Sequence, residues 1–324
     1  MYNVYVSDYD YPDLDIEKTI LEPIGARVIG LQARSGEGLA EQAHDAHAIL
    51  QQYARIDAAT IATLTQCKII ARYGIGVDIL DVKACHAAGI KVTNVPDYCL
   101  EEVADHSIAM ALSLLRSLPT YDQATHAGRW HWSDWNRPIK RLRGSVFGFI
   151  GFGRIAQNMV RKLQPFGFVI NAYDPFVSES LMNSHGVQKA ELDELLQTAD
   201  LVDVMCPHTP DTHHLIDERA LSLMKPGALL VNGARGKVID NAALYHALKS
   251  GHLAAAALDD TEEEPAKQLD WSPADNPLFT LPNCMITPHA AYVSQHALDE
   301  CRRVAALNVR AVLLGQAPLN PVRP

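Results

Sequence analysis

Four residues in the second half of this 324-residue chain have the types and placing to act on an oxygen-bearing carbon: Arg235, Asp259, Glu264 and His289. Each follows an apolar run of strand type, Ala228–Asn232, Leu253–Leu258 or Met285–Thr287. In open α/β sheets ligands sit beyond the carboxyl ends of the strands, so one cleft can collect all four. A guanidinium offers two parallel donors to a carboxylate or a carbonyl oxygen. Histidine exchanges a proton near neutral pH, and a glutamate beside it fixes its tautomer and favours its charged form. Each residue also has an ordinary reading. Arg235 suits a surface ion pair, Glu262-Glu263-Glu264 a solvated acidic run before Pro265, and His289, one of fourteen histidines, a satisfied core position.

A second constellation gives those groups something to work with. Val146 to Ile150 reads as a buried strand, and Gly151-Phe-Gly153-Arg154-Ile155-Ala156 then opens a helical pattern. This is G-x-G-x-x-A, a dinucleotide fingerprint. Gly151 allows the tight turn, and Gly153 lets N–H groups approach a pyrophosphate at the helix N-terminus. The next apolar strand, Phe168–Tyr173, ends at Asp174, where a ribose hydroxyl needs a carboxylate acceptor. A nicotinamide ring supplies hydride while the protein supplies orientation and the proton. These parts add up to reversible reduction of a 2-keto acid.

The bounds are compatible with that chemistry. The length allows about two domains. A formal charge of −10 argues against a nucleic-acid surface and gives no cue for an anionic membrane. Six scattered cysteines without a C-x-x-C pair read as free thiols of a reducing compartment. No apolar run nears membrane-spanning length, and the N-terminus lacks a signal-peptide pattern. A cytoplasmic protein is expected, with no metal.

The elements that must position these groups alternate strand and helix. Val4–Val6, Arg27–Ile29, Ala48–Leu50, Lys68–Ala71 and Lys91–Thr93 read as strands. Asp15–Ile24, Asp57–Leu64 and Asp78–Ala88 read as the helices between them, which implies a parallel sheet. After Arg72-Tyr73 the loop Gly74-Ile75-Gly76 can form an anion nest for a substrate carboxylate, or simply a strand-to-helix turn. A long helix is predicted from Glu101 to Leu118, ended by Pro119, and then an arm carrying Trp130, Trp132 and Trp135. The arm suits a dimer contact better than core cover. A last helix is predicted over Ala297–Leu314.

Several blocks resemble the D-isomer-specific 2-hydroxyacid dehydrogenases. They are Val231–Asp240 with its Ala-Arg-Gly core, Ala257-Leu-Asp259 with Glu264-Pro265, and Thr287-Pro-His-Ala290. The 151–156 fingerprint with Asp174-Pro175 and the segment from Cys206-Pro207 to Ile216 belong to the same set. The resemblance implies two doubly wound parallel-sheet domains. A flavodoxin-like substrate domain, residues 1–98 completed by 292–324, receives an inserted Rossmann domain at 99–291 that binds NAD. It implies catalysis by His289 as general acid/base, with Glu264 as its partner and Arg235 binding and polarising a small 2-keto or D-2-hydroxy acid. It places the substrate on Gly74, Ile75, Gly76 and Arg235. Cofactor contacts are implied at Gly151, Gly153, Arg154, Ile155, Asp174, Pro207, Thr212, Gly233, Ala234, Asp259 and His289. A homodimer through the cofactor domain, using 101–137, and no additional C-terminal regulatory module are also implied. Asp259-Asp260-Thr261 departs from the usual Asp-Val-aromatic order, and Ala290-Ala-Tyr292 replaces a glycine-containing stretch. Pro96–Asp105 and the sequence after His289 lean toward the subgroup of C-terminal-binding transcriptional corepressors. An NADH-sensing corepressor-like protein is therefore the alternative to an enzyme.

Overall fold

In the computed structural model, residues 1–135, 138–265, 268 and 270–323 are described. The chain divides into two units, Met1–Cys99 with Val293–Pro324, and Leu100–Tyr292.

The smaller unit is a five-stranded parallel sheet. Its strands are Tyr2–Val6 (β1), Ala26–Gly30 (β2), Ala48–Gln51 (β3), Ile69–Arg72 (β4) and Lys91–Thr93 (β5), in the order β2-β1-β3-β4-β5. That is the flavodoxin-like doubly wound order, whose direction of winding reverses between β1 and β3. Helices Asp15–Leu21 (α1), Gly36–Gln42 (α2), Ala58–Thr63 (α3) and Val82–Ala87 (α4) connect the strands. The helix predicted from Asp78 starts only at Val82, because the Asp81 side chain accepts from Ala84 N and caps it there.

One face of this sheet is closed by the last long helix, Gln295–Leu313, where Ala305, Ala306 and Val309 share a core with Val4, Val6 and Leu50. A buried charge cluster ties its two ends of sequence together. Arg302 donates to Glu17 through Nε (3.0 Å) and Nη2 (2.8 Å), and Tyr73 Oη donates to the same carboxylate at 2.9 Å. Removing one partner of such a buried, hydrogen-bonded pair would leave an uncompensated charge in the core.

The larger unit is a seven-stranded parallel sheet. In chain order its strands are Val146–Ile150 (β6), Val169–Tyr173 (β7), Gln188–Lys189 (β8), Leu201–Val204 (β9), Ala228–Asn232 (β10), Leu253–Leu258 (β11) and Cys284–Ile286 (β12). They lie in the order β12-β11-β10-β9-β6-β7-β8, so winding reverses between β6 and β9. Every residue of β10 and of β11 is buried, as expected of strands covered on both faces.

The helix expected to run to Leu118 ends at Leu115 (α5, Leu100–Leu115), and a separate helix, α6, spans Leu118–His126. Pro119 therefore begins a helix instead of ending one. A proline is tolerated in the first turn, where its missing N–H has no intrahelical partner to lose. Ser117, at φ 53°, makes the corner. The core-cover reading of the arm fails for Trp130 and Trp132, which are 90% and 70% exposed. Residues 136 and 137 of the arm lie outside the described residues.

Candidate active site

Strand register lines up the chemistry in the larger unit. Tyr173 pairs with Ile150, Ile150 with Val204, Val204 with Asn232, Asn232 with Leu258, and Leu258 with Ile286. Just past that line come Asp174, Gly151, Cys206, Arg235, Asp259 with Asp260, and His289. Residues spread over more than a hundred positions thus share one edge of the sheet, at the carboxyl ends of its strands.

On the cofactor side, Gly151 has φ 94°, and a β-carbon there would stand 2.7 Å from Cys206 N. The two chain segments flanking the switch point approach each other because Gly151 has no side chain. Gly153 is the N-cap of the helix Arg154–Leu163 (α7) and offers no side-chain cap. By contrast Ser178, Asp217 and Asp240 cap the short helices that start at Glu179, Glu218 and Asn241. The leading N–H groups of α7 are thus left without a side-chain cap beside open space at Gly153, where nothing lies within 4 Å of a built β-carbon. That is the donor set a pyrophosphate requires, and the dinucleotide fits it.

Asp174 Oδ2 accepts from Phe152 N at 2.8 Å and Oδ1 from Phe176 N at 2.9 Å, which holds the carboxylate at the end of β7. Thr212 Oγ1 donates to Pro207 O at 2.7 Å and pins the loop after β9. Ala234 N donates to Asn232 Oδ1 at 3.0 Å. Burial pushes the Cys206 thiol up to about 11, which disfavours the thiolate beside the glycine turn.

Gly236 has a different reason to be glycine. A β-carbon there would overlap the backbone of Thr261 and Glu262. The loop after β10 and the loop after β11 therefore interlock, which fixes Arg235 relative to Asp259–Glu264. Arg235 Nη1 donates to Ala234 O at 2.8 Å.

Asp259 serves the turn that carries His289. Its Oδ1 accepts from Thr287 Oγ1 (2.6 Å) and Ala290 N (2.9 Å), and its Oδ2 from Ala291 N (2.9 Å). From α5, His106 Nε2 lies 3.0 Å from Thr287 Oγ1 and 3.6 Å from Asp259 Oδ1. His289 itself adopts φ 54°, with its N–H directed at Asp259 O (2.6 Å) and Thr287 O (3.0 Å).

The expected Glu264–His289 pair is not formed. The carboxylate at the His289 ring is that of Asp260, with Oδ2 3.0 Å from Nδ1. Glu264, at φ 51°, instead accepts from Lys237 Nζ at 2.5 Å. The acidic run is not a solvated face either. Glu262 Oε1 lies 2.6 Å from His214 Nε2, and Glu263 Oε2 accepts from Asn276 Nδ2 at 2.9 Å. Asp260, Lys237 and His106 are the site residues that sequence reasoning missed. Only Asp260 left a signal, as a charged residue standing where an apolar one is usual.

In the smaller unit Gly74 has φ 139°, and Asn94 Nδ2 donates to Ile75 O at 2.8 Å. The Arg72 guanidinium lies 3.5 Å from the position of a Gly74 β-carbon, so positive charge accompanies the glycine loop.

The family model of the D-isomer specific 2-hydroxyacid dehydrogenase NAD-binding domain matches residues 108–291. D-3-phosphoglycerate dehydrogenase of Mycobacterium tuberculosis is 36% identical over 261 residues, 81% of this chain and 48% of that protein. Glyoxylate reductase of Korarchaeum cryptofilum is 36% identical over 269 residues, 82% of this chain and 79% of that one. Among solved structures, D-lactate dehydrogenase from Aquifex aeolicus complexed with NAD and lactic acid superposes with TM-score 0.87 and 28% identity, covering 97% and 96% of the two chains. The chain spans about half the length of the phosphoglycerate dehydrogenases it matches. The relatives named here are dehydrogenases or reductases, and none supports the corepressor reading. No helix among the described residues is long and apolar enough to cross a membrane.

Proposed function

Because the chain belongs to the D-isomer-specific 2-hydroxyacid dehydrogenase family, we propose that it transfers a hydride between NAD(H) and a small D-2-hydroxy acid or 2-keto acid. The observation that carries this reading is the register-aligned edge that brings Arg235 and His289 onto the side of the sheet where Gly151 and Gly153 open α7.

Bound nicotinamide supplies the hydride. The chain's own residues do the rest. The α7 N-terminus and Gly153 take the pyrophosphate, and Asp174 takes the ribose hydroxyls. Arg235 binds the substrate carboxylate and polarises its keto oxygen through paired N–H donors. His289 gives the proton to that oxygen during reduction and takes it back during oxidation. Asp259, by holding Thr287, Ala290 and Ala291, keeps the imidazole where the turn presents it. In the smaller unit Gly74-Ile75-Gly76 is assigned to a carboxylate on the strength of its backbone and of Arg72. The exposed Trp130 and Trp132 fit a homodimer through the cofactor domain, and a monomer by light scattering would remove that part.

A panel of glyoxylate, hydroxypyruvate and pyruvate, followed by NADH oxidation, tests the reading. His289→Asn should cut turnover by about 10²–10⁴ while NADH binding stays nearly intact. A wild-type chain that binds NADH but reduces no member of a broad keto-acid panel would end it.

A further inference from the structure

The glycine loop of the smaller unit is held from one side. After Arg72 the chain leaves β4, and the carbonyls of Gly74 and Ile75 are both taken by the segment that leaves β5. Val95 N donates to Gly74 O at 2.9 Å, and Asn94 Nδ2 donates to Ile75 O at 2.8 Å. The peptide bonds are trans, so a carbonyl and the N–H that follows it point in opposite directions. The N–H groups of Ile75 and Gly76 are therefore both turned away from residues 94 and 95. Neither finds an acceptor among the described residues. Two successive N–H groups presented in this way form a seat for an anionic oxygen.

Val95 contributes a backbone donor, whereas Asn94 contributes a side chain, and the backbone of Asn94 is clamped in turn. Asn94 N donates to Asn320 O at 3.4 Å, Val322 N donates to Val92 O at 2.9 Å, and Thr93 pairs with Pro321 as an antiparallel bridge. Asn308, fully buried on the helix Gln295–Leu313, accepts through Oδ1 from Leu319 N at 2.8 Å and Asn320 N at 3.1 Å. Residues 319–322 thus lie along the outer edge of β5, the last strand in the order of this sheet. We propose that Asn94 is the positioning residue of the Gly74-Ile75-Gly76 loop. It fixes the direction in which Ile75 and Gly76 offer their N–H groups to a substrate carboxylate, and residues 319–322 brace it. This rests on the dehydrogenase reading only for what the loop binds; the hold on the loop is a property of the folded chain.

The test uses the full chain labelled with ¹⁵N-isoleucine and ¹⁵N-glycine, without substrate or cofactor. The two amide signals are assigned by their loss in Ile75→Val and Gly76→Ala. Asn94→Asp keeps the size of the side chain and removes its donor, and Asn94→Ala removes the donor without adding charge. In both variants the Ile75 and Gly76 signals should move, Gly76 further. The Gly25 signal of the same unit should stay, which also reports that the variant is folded. In kinetics, KM for the keto acid should rise about three- to tenfold, the worth of one hydrogen bond. The kcat should stay within about twofold, the signature of lost ground-state binding, and NADH affinity should match wild type. Unmoved amide signals in both variants overturn the proposal, as does a fall in kcat at unchanged KM. Signals that move while KM stays overturn its substrate half and take the loop out of the functional reading. If no keto acid is reduced, the dehydrogenase reading fails, while the amide signals still decide whether Asn94 sets the loop.

Discussion

Both sheets reverse their winding next to the first strand of each unit, yet one reversal point is open and the other is plugged. In the larger unit Gly151 lets the loop after β9 close in, Gly153 leaves open space after β6, and α7 begins there without a side-chain cap. In the smaller unit the corresponding place after β1 is filled by Asp8, fully buried. Its Oδ2 accepts from Tyr53 N at 2.6 Å, and its Oδ1 from Ala54 N at 3.1 Å and Ser7 Oγ at 2.6 Å. Topology offers a crevice at each reversal. The residue type just past the strand decides whether a ligand or the protein's own carboxylate satisfies the exposed N–H groups. A single doubly wound rule therefore yields a cofactor site in one unit and a structural knot in the other.

Two substitutions break that comparison from opposite sides. The larger effect is expected at Gly151→Val. A branched side chain at φ 94°, with its β-carbon 2.7 Å from Cys206 N, must push the loop after β9 away from the pyrophosphate position. Backbone strain alone costs about 1–3 kcal/mol, and with the overlap added NADH binding should weaken about a thousandfold, ~4 kcal/mol. Titration calorimetry reads it, and wild-type affinity in this variant would show that the loop tolerates the crowding. Asp8→Ala is the converse. It strips acceptors from Tyr53 N and Ala54 N at a buried turn and should destabilise the smaller unit by about 2–3 kcal/mol. Urea unfolding measures the loss. NADH affinity should stay as in wild type, and a parallel loss of it would mean that the plug also shapes the cofactor site.

The parts of the fold that could be read from sequence are those with a single dominant signal. Ala228–Asn232 and Leu253–Leu258 coincide with β10 and β11 because continuous apolar runs admit few alternatives. Short helices such as α2 carry too few turns for a periodic pattern, and Pro119 is ambiguous in sequence because proline both follows and begins helices. At the site, position along the chain was enough to gather Arg235, Asp259 and His289, since strand ends converge by topology. Which carboxylate meets the imidazole was not legible. Three glutamates and two aspartates lie within six residues, and their directions depend on backbone angles such as φ 51° at Glu264, which residue types alone do not reveal.

A last contrast lies between Asp8 and Asp203, buried acids of the two sheets. Asp203, in β9 between Phe149 of β6 and Val231 of β10, has neither carboxylate oxygen hydrogen-bonded. Burial alone pushes it well above the usual carboxylate range. The sign of its contribution follows. Below about pH 4, the ordinary aspartate value, folded and unfolded chains both hold the proton, and Asp203 costs little. As pH rises, the unfolded chain releases it while the folded chain keeps it, so stability declines by at most ~1.4 kcal/mol per pH unit. Asp200, held low by Val146 N and the ammonium groups of Lys140 and Lys225, acts in the opposite sense, losing its contribution as pH falls. Comparing wild type with Asp203→Asn cancels Asp200 and every other carboxylate. The variant should gain on wild type steadily between pH 5 and pH 7 in urea midpoints, with the gain vanishing toward pH 4. Parallel stability curves across that range would mean that Asp203 has found a partner or water, and that both sheets treat their buried acids alike.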